Sequence, residues 1–254
     1  MNKASLPAFL RQNPFPHPLT LGFFYREKMR AIHLITPDEP LHDILEVGGG
    51  RSGLGAMLFP GATITNLDFD ASYADAPCNH LENVTFVCAD ATNLPFENSS
   101  FDVVTMFDLL EHVPDDAKAV SEAKRVLRPG GFLLVSTPHI SWKFPFHPAL
   151  RRISPSEAEL FAEWGHVRRG YSLKQLGELI GAHGLRRVRY ATFINAATAL
   201  CHDISFSRLP ERARRGLCVL LFPLTWAGYV LHNPHRRGTE TASCWQKSAG
   251  DAPA

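Results

Sequence analysis

Short apolar runs alternate with longer mixed segments between residues 42 and 136. Five of these runs have the length and the β-branched or aromatic content of strands, and they occupy 44–47, 62–67, 84–88, 101–107 and 132–136. A helix is predicted from about Asp115 to Leu127. Strands that alternate with helices predict a parallel sheet with helices on both faces.

The flanking regions add further predicted elements. Residues 1–19 contain four prolines and are expected to form an irregular arm, after which Thr20 is expected to cap a helix over Leu21–Ile35. Ser172 is a plausible cap for a helix that runs to about His183. A sixth strand is predicted over 185–194 and another over 240–247.

A glycine-rich turn follows the first strand. Gly48, Gly50 and Gly53 have the spacing of a dinucleotide-binding turn, and Asp68 lies 20 residues after Gly48 at the end of the second apolar run. Glycines let the backbone approach a ligand, and a carboxylate at this position accepts hydrogen bonds from ribose hydroxyls. The pattern predicts a nucleoside site but leaves NAD open. The absence of Gly-Lys-Ser/Thr after the glycines excludes a P-loop.

Motifs further along the chain narrow the choice of cofactor. Ala89-Asp90-Ala91 ends the third strand, the fourth ends in Asp108-Leu109-Leu110-Glu111-His112, and Leu127-Arg128-Pro129-Gly130-Gly131 precedes the fifth. Taken in order with Glu46-x-Gly48-x-Gly50 and Asp68, these motifs resemble the class I S-adenosylmethionine-dependent methyltransferases, in particular the ubiquinone/menaquinone-type group. The resemblance is strong over 42–140 and looser over 166–195.

The resemblance implies a fold, a cofactor and a set of site residues. The fold is α/β, a doubly wound, Rossmann-like sheet of seven strands in the order 3-2-1-4-5-7-6 with the last strand antiparallel. The cofactor is S-adenosylmethionine, with its methionine side at Glu46, Gly48, Gly50 and Asp108, its ribose at Asp68, and its adenine at Asp90 and Ala91. The family's third glycine comes one residue late here, so Gly53 or Gly55 fills that position. The helix over Leu21–Ile35 either lies over the cofactor or is plain core.

The segment 137–171 combines aromatic residues, histidines and arginines at the ligand edge of the sheet. We interpret it as the substrate-binding region. His139 is the first candidate for a general base because it follows the fifth strand, and His166 and Tyr171 come next. His112 is expected to be structural. The spacing of the histidines matches no common ligand pattern, so no metal site is predicted.

An apolar insertion separates the last two predicted strands. Residues 216–232 carry no charge over 17 positions and are flanked by arginines on both sides, with Pro223 expected to interrupt the helix. A transmembrane helix, an interfacial membrane element, and a buried hairpin over the substrate pocket or a dimer interface all fit this pattern. We disfavour the first, because the chain must return to the sheet.

Composition sets the remaining limits. The chain of 254 residues fits one domain, divided into an arm and helix (1–41), a cofactor-binding core (42–136), the substrate region (137–171) and the apolar insertion (199–238). The net charge of +1 and the missing base-methylation motif argue against a nucleic-acid partner. Five scattered cysteines indicate reduced thiols and a cytoplasmic location. The apolar insertion adds the inner face of the membrane as an alternative.

These observations predict methyl transfer to a small or amphiphilic acceptor such as a lipid, quinone, polyketide or envelope-glycan precursor. Oxygen is the first choice of acceptor atom and carbon the second. Two alternatives stay open at this stage. One is a nicotinamide-dependent oxidoreductase that uses the same glycine turn, and the other is a binding module that has lost catalysis. A homodimer is a further expectation.

Overall fold

A computed structural model describes residues 3–15 and 21–250. Its centre is one seven-stranded sheet in the order β3-β2-β1-β4-β5-β7-β6, as predicted. The strands are β1 (Asp43–Val47), β2 (Thr63–Asp68), β3 (Val84–Cys88), β4 (Phe101–Phe107), β5 (Leu127–Pro138), β6 (Arg186–Phe193) and β7 (Glu240–Gln246). The first five strands are parallel, and β7 pairs antiparallel with both β5 and β6. All carboxyl ends of the parallel strands therefore meet at one edge.

Helices cover both faces of the sheet, and two apolar clusters of buried residues fill the space between. The helices are α1 (Leu6–Arg11), α2 (Leu21–Ile35), α3 (Leu54–Leu58), α4 (Asp116–Val126), α5 (Glu157–Trp164), α6 (Leu173–Gly181), α7 (Ala196–Ser205) and α8 (Glu211–Leu231). Ser172 caps α6 as predicted, through a capping box with Gln175. The predicted cap of α2, Thr20, lies outside the described residues.

The structure corrects three predicted elements. The arm contains a helix, α1, because Ser5 caps it and Phe9 and Leu10 are buried against the core. The strand β5 begins five residues early, since Leu127 already pairs with Phe101. Pro223 does not interrupt α8, which runs through it.

The insertion between β6 and β7 consists of α7 and α8 packed against each other. Of the three alternatives for this insertion, the buried hairpin is correct in its two packed helices but not in its burial. Cys218, Thr225 and Tyr229 face inward, but most of the apolar side chains of α8 are exposed. None of the helices within 3–15 and 21–250 is long and apolar enough to cross a membrane.

Candidate active site

The glycine turn joins β1 to α3 at the carboxyl edge of the sheet. Gly48 and Gly50 have φ angles of +73° and +50°, a region that favours glycine. The amide of Gly48 donates to the carbonyl of Leu67 over 2.7 Å and ties the turn to β2. A Cβ on Gly49 would lie 2.1 Å from Asn66 Oδ1, so the turn needs a glycine there for space.

Glu46 supports this turn from below. Its buried carboxylate accepts a hydrogen bond from the Gly55 amide at 3.0 Å, and burial raises its pKa to about 7. Gly53 precedes α3 with a φ of +57°. Both candidates for the third glycine therefore contribute to the turn. Gly53 supplies the residue with left-handed backbone. Gly55 supplies the amide that donates to Glu46. Glu46, Gly50 and Gly53 shape the turn without lining the cavity above it.

The first cavity, of about 800 Å³, opens above the ends of β1 to β4. Its walls include five of the predicted cofactor-binding residues, Gly48, Asp68, Asp90, Ala91 and Asp108. A backbone amide from the following loop orients each of two carboxylates. The amide of Asp70 donates to Asp68 Oδ1 over 3.1 Å, and the amide of Thr92 donates to Asp90 Oδ1 over 2.8 Å. The structure thus brings the predicted ribose and adenine residues together.

Two aromatic residues of this cavity were missed in the sequence. Phe69 is 80 % exposed beside Asp68, and Tyr73 lies against the glycine turn near Gly50. Phe69 follows directly after the strand that carries Asp68, and that position was the available signal. Exposed rings at a cavity mouth offer flat apolar surfaces to a ligand.

A second, smaller cavity of about 230 Å³ adjoins the first. The two share Asp108, His112 and Trp164 on their walls. The rest of the second cavity is lined mostly with aromatic, histidine and acidic side chains from six different segments, namely Phe24, Glu111, Pro138, Trp142, His166, His202, Phe206 and Glu240. It is therefore an aromatic compartment next to a polar one.

Asp108 lies at the junction of the two cavities, with a φ of +49°. Ser136 Oγ donates to its Oδ1 at 2.6 Å, and Lys28 Nζ donates to its Oδ2 at 2.7 Å. Burial raises the pKa of Asp108, but the Lys28 ammonium and these hydrogen bonds outweigh that effect and hold the pKa below its usual value. Lys28 belongs to α2, which contributes to the core and lines the second cavity through Phe24. None of the described side chains of α2 lines the first cavity, so the prediction that this helix lies over the cofactor stays a prediction.

The acidic groups of the second cavity have unusual environments. Glu111 is 1 % exposed, and within the described parts of the chain neither of its carboxyl oxygens has a hydrogen-bond partner. Burial and the nearby Asp108 raise its pKa to about 8. The same causes raise the pKa of Glu240 well above its usual value. Burial lowers the pKa of His166 to about 4, which makes its ring neutral at pH 7.

Of the three predicted catalytic residues, only His166 lies in the second cavity. His139, the first residue after the end of β5, does not. Pro138 faces the second cavity, whereas His139 faces a separate cavity beside Tyr190, Arg236 and Arg237. Its Nδ1 is occupied by the hydroxyl of Ser141 at 2.6 Å. This placement does not support the prediction that His139 is the base.

Tyr171 does not line the second cavity either. Its ring is buried in the core, and its hydroxyl lies 2.5 Å from Asp116 Oδ2 and 3.1 Å from the Leu110 carbonyl. Burial raises the pKa of the Tyr171 hydroxyl above its usual value. Arg168 contacts the same hydroxyl and donates to the carbonyls of Leu110 and Val113. Tyr171 and Arg168 therefore brace the loop after β4 from below.

Comparisons with known proteins agree with this geometry. The family described as "Methyltransferase domain" matches residues 45–135. A ubiquinone biosynthesis O-methyltransferase from Coxiella burnetii is 30% identical over 173 residues, which cover 56% of this chain and 74% of that protein. A ubiquinone/menaquinone biosynthesis C-methyltransferase from Rhizobium etli is 28% identical over 205 residues, which cover 72% of this chain and 80% of that protein.

The fold is also that of solved methyltransferases. The crystal structure of an S-adenosylmethionine-dependent methyltransferase from Mesorhizobium loti aligns with a TM-score of 0.58 at 17% identity, covering 87% of this chain and 98% of that one. The nicotinamide alternative is not favoured by these relatives. The glycine turn, the carboxylates at the ends of β2 and β3, and the relatives agree on one family. The chain belongs to the class I S-adenosylmethionine-dependent methyltransferases, and S-adenosylmethionine is its cofactor.

Proposed function

We propose that this enzyme transfers the methyl group to a hydroxyl oxygen of an amphiphilic acceptor. The observation that carries the proposal is the junction of the two cavities at Asp108, His112 and Trp164. A nucleoside fits the larger, polar cavity, and an aromatic or isoprenoid-bearing acceptor fits the smaller one. The Coxiella relative is named as an O-methyltransferase of ubiquinone biosynthesis, which supports oxygen and a quinone precursor. The C-methyltransferase relative keeps carbon as the alternative acceptor atom.

The residues of the first cavity would hold the cofactor by complementary groups. Asp68 would accept from the ribose hydroxyls, Asp90 and Ala91 would face the adenine, and Gly48 and Asp108 would lie beside the methionine part. Phe69 would cover the nucleoside with its exposed ring. The bound cofactor supplies an electrophilic methyl on a sulfonium, so the protein chiefly orients and desolvates the reactants.

The residues of the second cavity would orient the acceptor and exclude water. Trp142 stacks with Phe144 and Phe161 at centroid distances of 6.1 and 5.9 Å, and Trp164 packs edge-on against Phe206 at 5.4 Å. Such rings favour a flat or unsaturated apolar partner. His166 replaces His139 as the histidine expected to contact the acceptor oxygen. Its low pKa makes it a weak base, so we assign it to positioning.

The exposed face of α8 supports an amphiphilic acceptor. Leu220, Leu224 and Leu231 are 73%, 51% and 81% exposed, and Trp226 lies beside them at 42%. From 212 to 239 the charged residues are all arginines. An apolar stripe flanked by cations fits the headgroup region of an anionic membrane. We therefore propose that α8 contacts the inner face of the membrane, from which an apolar acceptor would enter.

The acceptor is tested with S-adenosylmethionine that carries a ¹³C-labelled methyl group. A hydroxylated aromatic acid with a prenyl tail is compared with the same acid without the tail, and the product is read by ¹³C NMR. The proposal predicts a methoxy signal and faster turnover of the tailed compound. A carbon-bound methyl signal would move the reaction to the alternative acceptor atom, and no product with a range of phenols would overturn the acceptor class.

The membrane contact is tested by sedimentation with phosphatidylglycerol vesicles and with phosphatidylcholine vesicles. The proposal predicts preferential binding to the anionic vesicles, which Leu220→Glu weakens and the matched exposed control Leu81→Glu does not. If neither vesicle binds and Leu220→Glu converts a dimer to a monomer, the face belongs to a second copy of the chain.

A further inference from the structure

Three potential metal ligands meet at the wall of the second cavity, although sequence spacing predicted no metal site. Glu111, His112 and His166 each place one ligand atom so that all three atoms lie within 4.8 Å of one another. The imidazole rings of His112 and His166 are 4.7 Å apart and perpendicular. Ligand atoms around a Zn²⁺ ion at about 2.1 Å lie about 3.4 Å apart, so small side-chain rotations would close the site.

Two of these residues have buried polar atoms that nothing in the described chain satisfies. They are both carboxyl oxygens of Glu111 and Nδ1 of His166. Buried polar atoms are normally paired, because an unpaired one loses its hydrogen bonds to water without replacing them. The unpaired atoms belong to the same cluster and face the same cavity. A cation held between the two side chains would interact with these atoms.

The third residue has the partner expected of a metal-bound histidine. His112 Nδ1 lies 3.3 Å from the carbonyl of Gly165. Because a carbonyl only accepts, Nδ1 carries the proton and Nε2 presents its lone pair. Histidine ligands of metals commonly donate their second N–H to a backbone carbonyl in this way.

The fold fixes this arrangement by pairing two distant segments. Gly165 ends α5 in a left-handed conformation and turns the chain back toward β4. The amide of Val167 then donates to the Glu111 carbonyl at 3.0 Å, which places His166 beside His112. Arg168 holds the same loop through the Leu110 and Val113 carbonyls. The cluster is therefore braced on both sides.

We infer that Glu111, His112 and His166 bind one divalent transition-metal ion, with Zn²⁺ or Mn²⁺ as the best fit. Two imidazoles and one carboxylate suit these ions, whereas Mg²⁺ and Ca²⁺ prefer ligand sets made of oxygen. The further carboxylates of Asp108 and Glu240 on the same wall favour a cation over an anion. The ammonium of Lys28 also lies near this wall, and it is already paired with Asp108.

The position of the site gives the ion a role that rests on the proposed function. Three protein ligands leave coordination positions open toward the cavity, and an acceptor hydroxyl fits one of them. Coordination would lower the pKa of that hydroxyl, so that its proton would leave to water and its oxygen would attack the methyl group with release of S-adenosylhomocysteine. The ion would thus activate the acceptor oxygen.

Metal binding is measured on tag-free protein after chelation, by calorimetric titration with Zn²⁺, Mn²⁺ and Mg²⁺ and by the visible absorption of bound Co²⁺. The wild type is expected to bind one Zn²⁺ or Mn²⁺ per chain, and Mg²⁺ at least tenfold more weakly. Glu111→Gln and His166→Ala should each weaken Zn²⁺ binding at least tenfold and change the Co²⁺ spectrum. His183→Ala, at a histidine outside the cluster, should do neither. S-adenosylhomocysteine affinity, measured in parallel, should stay within about twofold in all variants.

The results separate the site from the proposed function. No stoichiometric metal in the wild type, or unchanged binding in both ligand variants, overturns the inference and leaves the methyltransferase proposal untouched. Stoichiometric metal that can be removed without loss of methyl transfer overturns the role in the reaction. If the wild type does not bind S-adenosylhomocysteine, the result would instead contradict the cofactor site.

Discussion

The two halves of the ligand edge are built in different ways. The half that receives the cofactor comes from residues 46–91, in which successive strand ends lie side by side. The half that receives the acceptor collects residues from α2, the loop after β4, α5, α7 and the first residue of β7. The cofactor half is thus a local pattern repeated along the chain, while the acceptor half depends on contacts between distant segments. Five predictions test this contrast.

The largest effect is expected where the two halves meet. Lys28→Met removes the ammonium from Asp108 and leaves a partly buried charge without its partner. Because 35 % of the Asp108 side chain is exposed, the free energy of unfolding should fall by about 3 kcal/mol, the lower end of the range for a broken buried ion pair. Urea unfolding at pH 7 measures it.

The matched control is Lys174→Met, which breaks an exposed pair with Glu178 and should cost less than about 0.5 kcal/mol. Replacing Asp108 by Asn in the Lys28→Met background should recover part of the loss. Equal effects of the two lysine variants would contradict the importance of the junction.

In the cofactor half, Asp68→Asn should lower the affinity for S-adenosylhomocysteine about 100-fold, because two hydrogen bonds to a charged acceptor are weakened. Calorimetry measures the change. The exposed control Asp75→Asn should bind normally. Unchanged affinity in Asp68→Asn would place the ribose elsewhere.

The cofactor half also depends on the space below its turn. Gly49→Ala puts a methyl group against Asn66 and Glu46 and should lower stability by about 2 kcal/mol, together with cofactor affinity. Gly61→Ala meets no atom within 4 Å and should be almost neutral. Thermal unfolding of the pair shows the difference. If both variants unfold at the same temperature, the turn is more loosely packed than the structure indicates.

Phe24 of α2 lines the acceptor half, and on the same helix burial raises the pKa of Glu27 to about 8. The folded state therefore holds a proton that the unfolded state releases above about pH 4.3, and stability falls as the pH rises toward 8. Glu27→Gln removes this slope, so between pH 5 and 7 it should lose about 1–2 kcal/mol less than the wild type. Glu39→Gln, at an exposed position, should follow the wild type. Parallel pH profiles of wild type and Glu27→Gln would argue that Glu27 is ionised in the fold.

The smallest effects are expected for two residues first considered as bases. His139→Ala and Tyr171→Phe should keep methyl transfer within about twofold, since neither side chain faces the second cavity. Steady-state turnover measures this. A loss of a hundredfold or more in His139→Ala, with intact cofactor binding, would restore the sequence-based prediction.

The contrast also explains how far the sequence could be interpreted. Strand order was implied by the family resemblance, and Asp68, Asp90 and the glycine turn were located by motifs that lie directly at strand ends. Lys28 was not predictable, since it reaches Asp108 from 80 residues away. Sequence alone could not show which cavity His139 faces, because it is the first residue after the end of β5. His166 meets His112 only through the turn at Gly165.

The most direct test of the two-cavity arrangement is a crystal structure with S-adenosylhomocysteine. The account predicts the ribose at Asp68, the adenine near Asp90, and the sulfur directed at the junction formed by Asp108, His112 and Trp164. A nucleoside bound away from Asp68, or a sulfur directed away from the second cavity, would contradict it.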